Sequence, residues 1–166
     1  MIFNYSFALN NYNFSFTKTL FMKFSLNKIK TAFGNKQNTE AANTDNQIED
    51  IINAVDGDAF AVSENNVLFA KTSELGGYHY VIALIVGAFK IKTNKGAKLA
   101  IEGKDFELVL NSDMEEFESD RTNASNRYVT RIDFQIEETD ISKFDKNAIK
   151  SLKLITKKEE VIFNTL

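Results

Sequence analysis

Beyond residue 57, apolar side chains recur at every second position. The clearest case is 127–137. Tyr128, Ile132, Phe134 and Ile136 fall on one side with Thr130 among them, and Arg127, Arg131, Asp133, Gln135 and Glu137 fall on the other. Side chains of a strand alternate between faces, so this segment predicts a strand with one dry face and one wet face. Residues 78–89 are apolar on both sides. Tyr80, Ile82, Leu84 and Val86 point one way, and Val81, Ala83, Ile85 and Phe89 the other. Such a strand is central and covered on both faces. Gly87 within it marks a bulge or a close approach of backbone.

Turn chemistry delimits the other strands. Segments 58–63 and 67–72 flank Glu64-Asn65-Asn66, and asparagine tolerates the positive φ of a tight hairpin turn. Residues 72–77 read as a loop ending in two glycines. Asn94-Lys95-Gly96 is a second turn signal. Segments 98–102 and 106–110 flank Gly103-Lys104-Asp105 and predict another hairpin, with Phe106, Leu108 and Leu110 sharing a face. Residues 114–120 predict a strand before a polar loop at 122–125. Segments 152–155 and 161–163 are the last two strands. The fold class is therefore mainly β, a β-sandwich or a partly open antiparallel barrel of about eight or nine strands.

Two segments carry helical spacing instead. Ile48, Ile51, Ile52 and Val55 lie on one helical face, Thr44 and Gln47 have the spacing of a capping box, and Asp56-Gly57 stops the helix. Its isoleucine face needs a surface to cover, and the sheet is the expected one. Thr139 or Asp140 begins a short helix near 140–148 that carries Ile141, Phe144 and Ala148.

The first 44 residues lack the strand pattern. Residues 34–44 contain no large apolar side chain and read as a linker. The expected organisation is an N-terminal extension and linker at 1–44 and a single β-rich domain at 45–166. Residues 1–21 interleave Phe with Asn, Tyr and Ser. They lack the early positive charge and unbroken apolar run of a signal peptide. Tyr12, Phe14 and Phe16 alternate as a strand would. The favoured reading is that translation starts at Met22, whose MKFSLNKIK resembles a usual bacterial start, so that 1–21 is not part of the native protein. Residues 20–33 mix Leu20, Phe24, Leu26, Ile29 and Phe33 with Lys23, Lys28 and Lys30. One reading is a basic amphipathic segment that contacts a membrane. The preferred one is a short helix packed on the domain or a frayed end.

Composition narrows the function classes. Hydrophobic residues make up 43% and charged residues 26%, enough apolar material for a core. The net charge of −3 argues against a dedicated nucleic-acid binder, which needs a concentrated basic surface. The absence of cysteine excludes disulfides, thiolate metal sites and cysteine nucleophiles, and it suits a reducing, cytoplasmic compartment. The single histidine excludes a two-histidine metal site within one chain. No dinucleotide fingerprint, phosphate loop, zincin, nucleophile-elbow or EF-hand motif is present, and no cofactor is expected.

Three constellations are candidates for chemistry. His79, with Tyr78 and Tyr80 after the glycine pair, would line a pocket with the imidazole as general base. The plainer reading is a strand-initiating histidine, since no nucleophile or orienting carboxylate accompanies it. Residues 113–120 hold five carboxylates, and Glu116, Glu118 and Asp120 share a strand face on which a hard cation would bind. Alternation splits them from Asp113 and Glu115, which disfavours the site. Arg121, Arg127 and Arg131 are the only arginines and would form an anion clamp. The preferred alternative is a hairpin of 114–120 with 126–136, in which the acids face the arginines as exposed ion pairs.

Two main readings of function follow. The first is a non-enzymatic binding or assembly module that pairs with a protein partner or a second copy. It would use a strand edge such as 161–163 or the apolar face of the helix. The second is a small enzyme or ligand-binding protein with a pocket near Tyr78, His79 and Tyr80. Peripheral membrane attachment through 20–33 is a third.

Overall fold

Strand alternation is converted into architecture by antiparallel pairing between segments that are mostly neighbours in sequence. The computed structural model describes residues 39–122 and 127–166. Within it, Glu40–Leu166 forms one compact unit. The chain enters through helix α1 (Thr39–Ala54) and continues as β1 (Ala59–Val62), β2 (Asn66–Leu75), β3 (Tyr78–Gly87), β4 (Lys92–Thr93), β5 (Lys98–Gly103) and β6 (Glu107–Asn111). Then come β7 (Phe117–Glu118), β8 (Asp120–Arg121), β9 (Tyr128–Ile136), a 3-10 helix (Glu138–Lys143), β10 (Ile149–Ile155) and β11 (Glu160–Thr165). Nine strands form one sheet in the order β6-β5-β10-β11-β1-β2-β3-β9-β8, and β4 pairs with β7 as a separate ribbon.

The sheet curls back on itself. Beyond β6, Ser112 bridges to Phe134 of β9, and the Asp113 N–H donates to the Asp133 carbonyl at 2.8 Å. Of the two expected architectures, this is the partly open antiparallel barrel. Leu68, Val81, Ala83, Ile85, Phe134 and Phe163 belong to its interior cluster. The Phe60 and Phe144 rings stack there at 5.0 Å, and Ile141 packs against the same cluster, so the segment after β9 adds to the core.

The expected helix lies on the outer face of the barrel. Ile51 packs with Val62, Val67, Phe69 and Val86, while Ile48, Ile52 and Val55 sit at the margin. Strand β1 is buried at all four positions for this reason, with helix on one side and core on the other. Its register shifts between Ala59 and Ala61, so Phe60 and Ala61 both join the interior while Ala59 and Val62 face the helix layer.

Polar exceptions in the core are satisfied. Thr130, buried on the dry side of β9, meets the Ser119 hydroxyl at 2.6 Å. The Ser119 oxygen also accepts from the Ile91 N–H at 2.7 Å. Gly87 is a close backbone approach, as expected. A Cβ there would collide with the Asn65 carbonyl, and the Phe89 N–H donates to the Asn66 side chain at 2.7 Å beside it.

Several boundaries differ from those read in the sequence. The helix starts at Thr39, so Thr44 and Gln47 lie within its span and not at its start, and residues 39–44 are helical and not linker. Residues 72–75 are strand and not loop, because cross-strand pairing with β3 outweighs their polar character. The 114–120 strand is broken into β7 and β8, which pair with different partners. The helix near 140–148 is a 3-10 helix at Glu138–Lys143 with no side-chain cap. Residues 1–38 lie outside the described residues, and with them the Met22 start, the 12–16 alternation and the basic 20–33 segment. So do residues 123–126 of the polar loop.

Two substitutions test this packing. Ile51→Ala removes the buried centre of the helix–sheet contact and is expected to cost about 2–5 kcal/mol, read as a lower urea midpoint at constant slope. Thr130→Val breaks the buried hydroxyl pair and is expected to cost about 1–3 kcal/mol despite conserving shape.

Candidate functional site

The longest hairpin in the sheet is also its most exposed apolar feature. Strands β2 and β3 pair without interruption from Asn66↔Gly87 to Leu75↔Tyr78. The turn is Gly76-Gly77, with φ of 63° and 83°. Two successive positive φ values define the turn that matches strand twist, and only glycine adopts them without strain. Leu75 and Tyr78 flank the turn at 75% and 60% exposure.

One edge of this arm continues past its neighbour. Strand β1 pairs with β2 only at Val67, Leu68 and Phe69. From Ala70 to Leu75, β3 is the only strand partner of β2 among the described residues. The direction of the main chain follows from the hairpins at each end. The Ser63 N–H donates to the Asn66 carbonyl at 2.9 Å, so Asn66 bonds toward β1. In an antiparallel ladder alternate residues bond to opposite neighbours. Thr72 and Glu74 therefore direct N–H and C=O groups to the side away from β3, as does Ala70 just beyond the last β1 pair.

The histidine constellation does not converge. Val81, Ala83 and Ile85 face the barrel interior, and Leu84 and Val86 face the helix layer. Alternation then puts half-buried His79 on the interior side, in register with Ile136 and Glu74, and Tyr78 and Tyr80 on the other side.

The arginines are likewise spread. Arg131 makes a two-pronged contact with Asp133, with both bonds at 2.9 Å. Arg127 lies 3.6 Å from Asp50 of α1 and reaches the Gln47 carbonyl, tying helix to sheet. Arg121 is in register with Tyr128, on the opposite face from Arg131. Of the acids only Asp120 lies on a strand paired with β9, on the face of Arg127 and Arg131 and diagonal to both. Strand β7 pairs with β4, and Glu118 bonds Lys92 at 2.7 Å. Asp120 lies on β8 in register with Val129, and Glu116 is exposed just before β7. Among the described residues no three His, Asp or Glu side chains are grouped to hold a metal ion.

Lys146 combines substantial burial with a perturbed ionisation. Its ammonium donates to the Ala59 carbonyl at 2.6 Å. Burial pushes its pKa below the ordinary lysine value, and nearby Asp58 opposes that shift.

The full length of the arm was missed in the sequence. Its signal was the Gly76-Gly77 pair between Leu75 and Tyr78, which fits a two-residue turn better than the end of a loop. No helix among the described residues is long and apolar enough to cross a membrane. Comparison of the chain with models of protein families, with curated proteins and with solved structures finds no match.

The Lys92–Glu118 pair has a signed pH dependence. Its hydrogen bond and charge lower the Glu118 pKa and raise that of Lys92. Its stabilisation is present above the ordinary carboxylate pKa and lost as pH falls through the lowered Glu118 value. It is lost again as pH rises through the raised Lys92 value. An NMR titration is expected to show the Glu118 midpoint below the ordinary range, moving up in Lys92→Met, with the difference shrinking in molar salt.

Proposed function

We propose that this chain is a non-enzymatic binding or assembly module that engages a protein partner through the β2–β3 arm. The observation that carries this reading is the exposure of Leu75 and Tyr78 on either side of a turn held by two glycines. Large apolar side chains on a well-paired hairpin are ordered before binding, so docking costs little conformational entropy. Tyrosine supplies broad contact area together with a polar tip.

Other surfaces offer less. Residues 161–163 of β11 pair with β10, and β1 reaches only Asn164 and Thr165, so this edge is shorter than that of the arm. The apolar face of α1 is packed on the sheet. Arg127 and Arg131 are engaged with carboxylates, and the net charge is −3, so nucleic acid is not the proposed partner. A cytoplasmic setting belongs to the same proposal, because the fold relies on no disulfide.

The test compares tagged wild-type protein with Leu75→Ser/Tyr78→Ser, both purified from the native cells. The double variant is expected to keep its melting temperature, since both side chains are exposed, and to lose at least one partner by tenfold or more. Retention of the same proteins by both baits would remove the arm as the docking element.

A further inference from the structure

We propose that residues 137–148 form a lid over one end of the barrel, which opens as a unit while the sheet stays folded. This goes beyond the docking role of the arm and does not depend on it.

The sheet order shows what this segment crosses. It leaves β9 after Ile136 and enters β10 at Ile149. Strands β9 and β10 are not neighbours. Between them lie β11, β1, β2 and β3 on one side, and β5 and β6 on the other, across the Ser112–Phe134 bridge. The connection therefore spans the barrel end. It touches two further parts of the rim on the way. The Phe144 ring stacks on Phe60 of β1, and the Lys146 ammonium donates to the Ala59 carbonyl of the same strand. In the turn between β5 and β6, the Lys104 N–H donates to the Ala148 carbonyl at 2.9 Å.

The segment is fixed at its ends and held lightly between them. Ile136 and Ile149 are each 3% exposed. No residue from 137 to 148 is buried, and Ile141 and Phe144 are only half-buried against the interior cluster. Its other hydrogen bonds are internal. The Phe144 N–H donates to the Ile141 carbonyl, the Ala148 N–H to the Asp145 carbonyl, and Lys143 to the Asp140 carboxylate. Lys146 is the latch, since it meets Ala59 where the bulge takes β1 out of step with β2. Opening breaks that bond, the ring stack and the Lys104 bond, and it leaves the strand ladders intact. A part with few buried apolar contacts opens at lower free energy than the core. Once detached, so short a helical turn does not hold itself, and its internal N–H groups are freed with it. The surface uncovered is Phe60 and the apolar end of the interior around it.

Hydrogen exchange of the wild-type chain in low urea tests this without substitution. The N–H groups of Phe144, Ala148 and Lys104 are expected to exchange through one opening. Their shared urea slope should lie above zero and below that of Phe134 and Leu152 in the flanking strands. Slopes of zero, or exchange matching Phe134 and Leu152, would overturn the lid. Two variants then separate lid from core. Lys146→Met keeps the stem and removes the donor, and it is expected to speed Phe144, Ala148 and Lys104 alike by roughly fivefold or more. An effect confined to Ala148 would rule out opening as a unit. Ile51→Ala weakens the helix–sheet contact, which the open form retains. It is expected to speed Phe134 and Leu152 and to leave Phe144, Ala148 and Lys104 unchanged. If those amides instead quicken in step with Phe134, they exchange by global unfolding and there is no lid.

Discussion

The structure depends on covering both faces of β3. Its residues are apolar on both sides, so it is stable only between two apolar layers. The inner layer is the barrel core, reached through Val81, Ala83 and Ile85. The outer layer is α1, whose isoleucines meet Val86 and Leu84 together with residues of β1 and β2. Without the helix this stretch would expose a broad apolar surface. Without the curl of the sheet the inner face would have nothing opposite it. The helix and the closure of the barrel thus answer the same requirement from its two sides.

Polar groups fix where that packing stops. The Ser119–Thr130 pair and the Ile91 N–H tie the return from β4 and β7 to the start of β9. Asn66 does the same where β1 turns into β2, donating to the Ser63 hydroxyl at 2.9 Å and accepting from the Phe89 N–H. Each contact is worth little net energy, but each would be costly to leave unmade in a dry environment. They select one register at strand ends where apolar packing alone allows several.

The elements that the sequence revealed are those whose pattern is local. The alternation of 127–137 became β9, the doubly apolar 78–89 became β3, and Ile48, Ile51 and Ile52 became the buried side of α1. What stayed hidden depends on distant partners. Glu118 bonds Lys92 because β7 pairs with β4, and Arg127 meets Asp50 because the helix crosses that end of the sheet. Neither follows from spacing. Residues 72–75 carry too few apolar side chains to declare a strand, and β3 supplies the ladder that makes them one. The His79 cluster was grouped by nearness in sequence, whereas a strand separates adjacent residues onto opposite faces.

The reach of the β2–β3 arm past β1 follows from how the sheet closes. Strands in a curled sheet are staggered, so unequal strands leave overhangs at its rim. The β6 edge is tied to β9 through Ser112 and Asp113, and β8 is only two residues long. Among the described residues the overhang of β2 past β1, from Ala70 to Leu75, is longer, and the main-chain groups of Ala70, Thr72 and Glu74 point away from β3. Exposed edges invite indiscriminate pairing, and proteins commonly blunt them with charge. Lys71 and Glu74 supply that charge here, on opposite faces of the strand. A charge on each face of the overhang limits such pairing while leaving the apolar Leu75 and Tyr78 exposed at its tip.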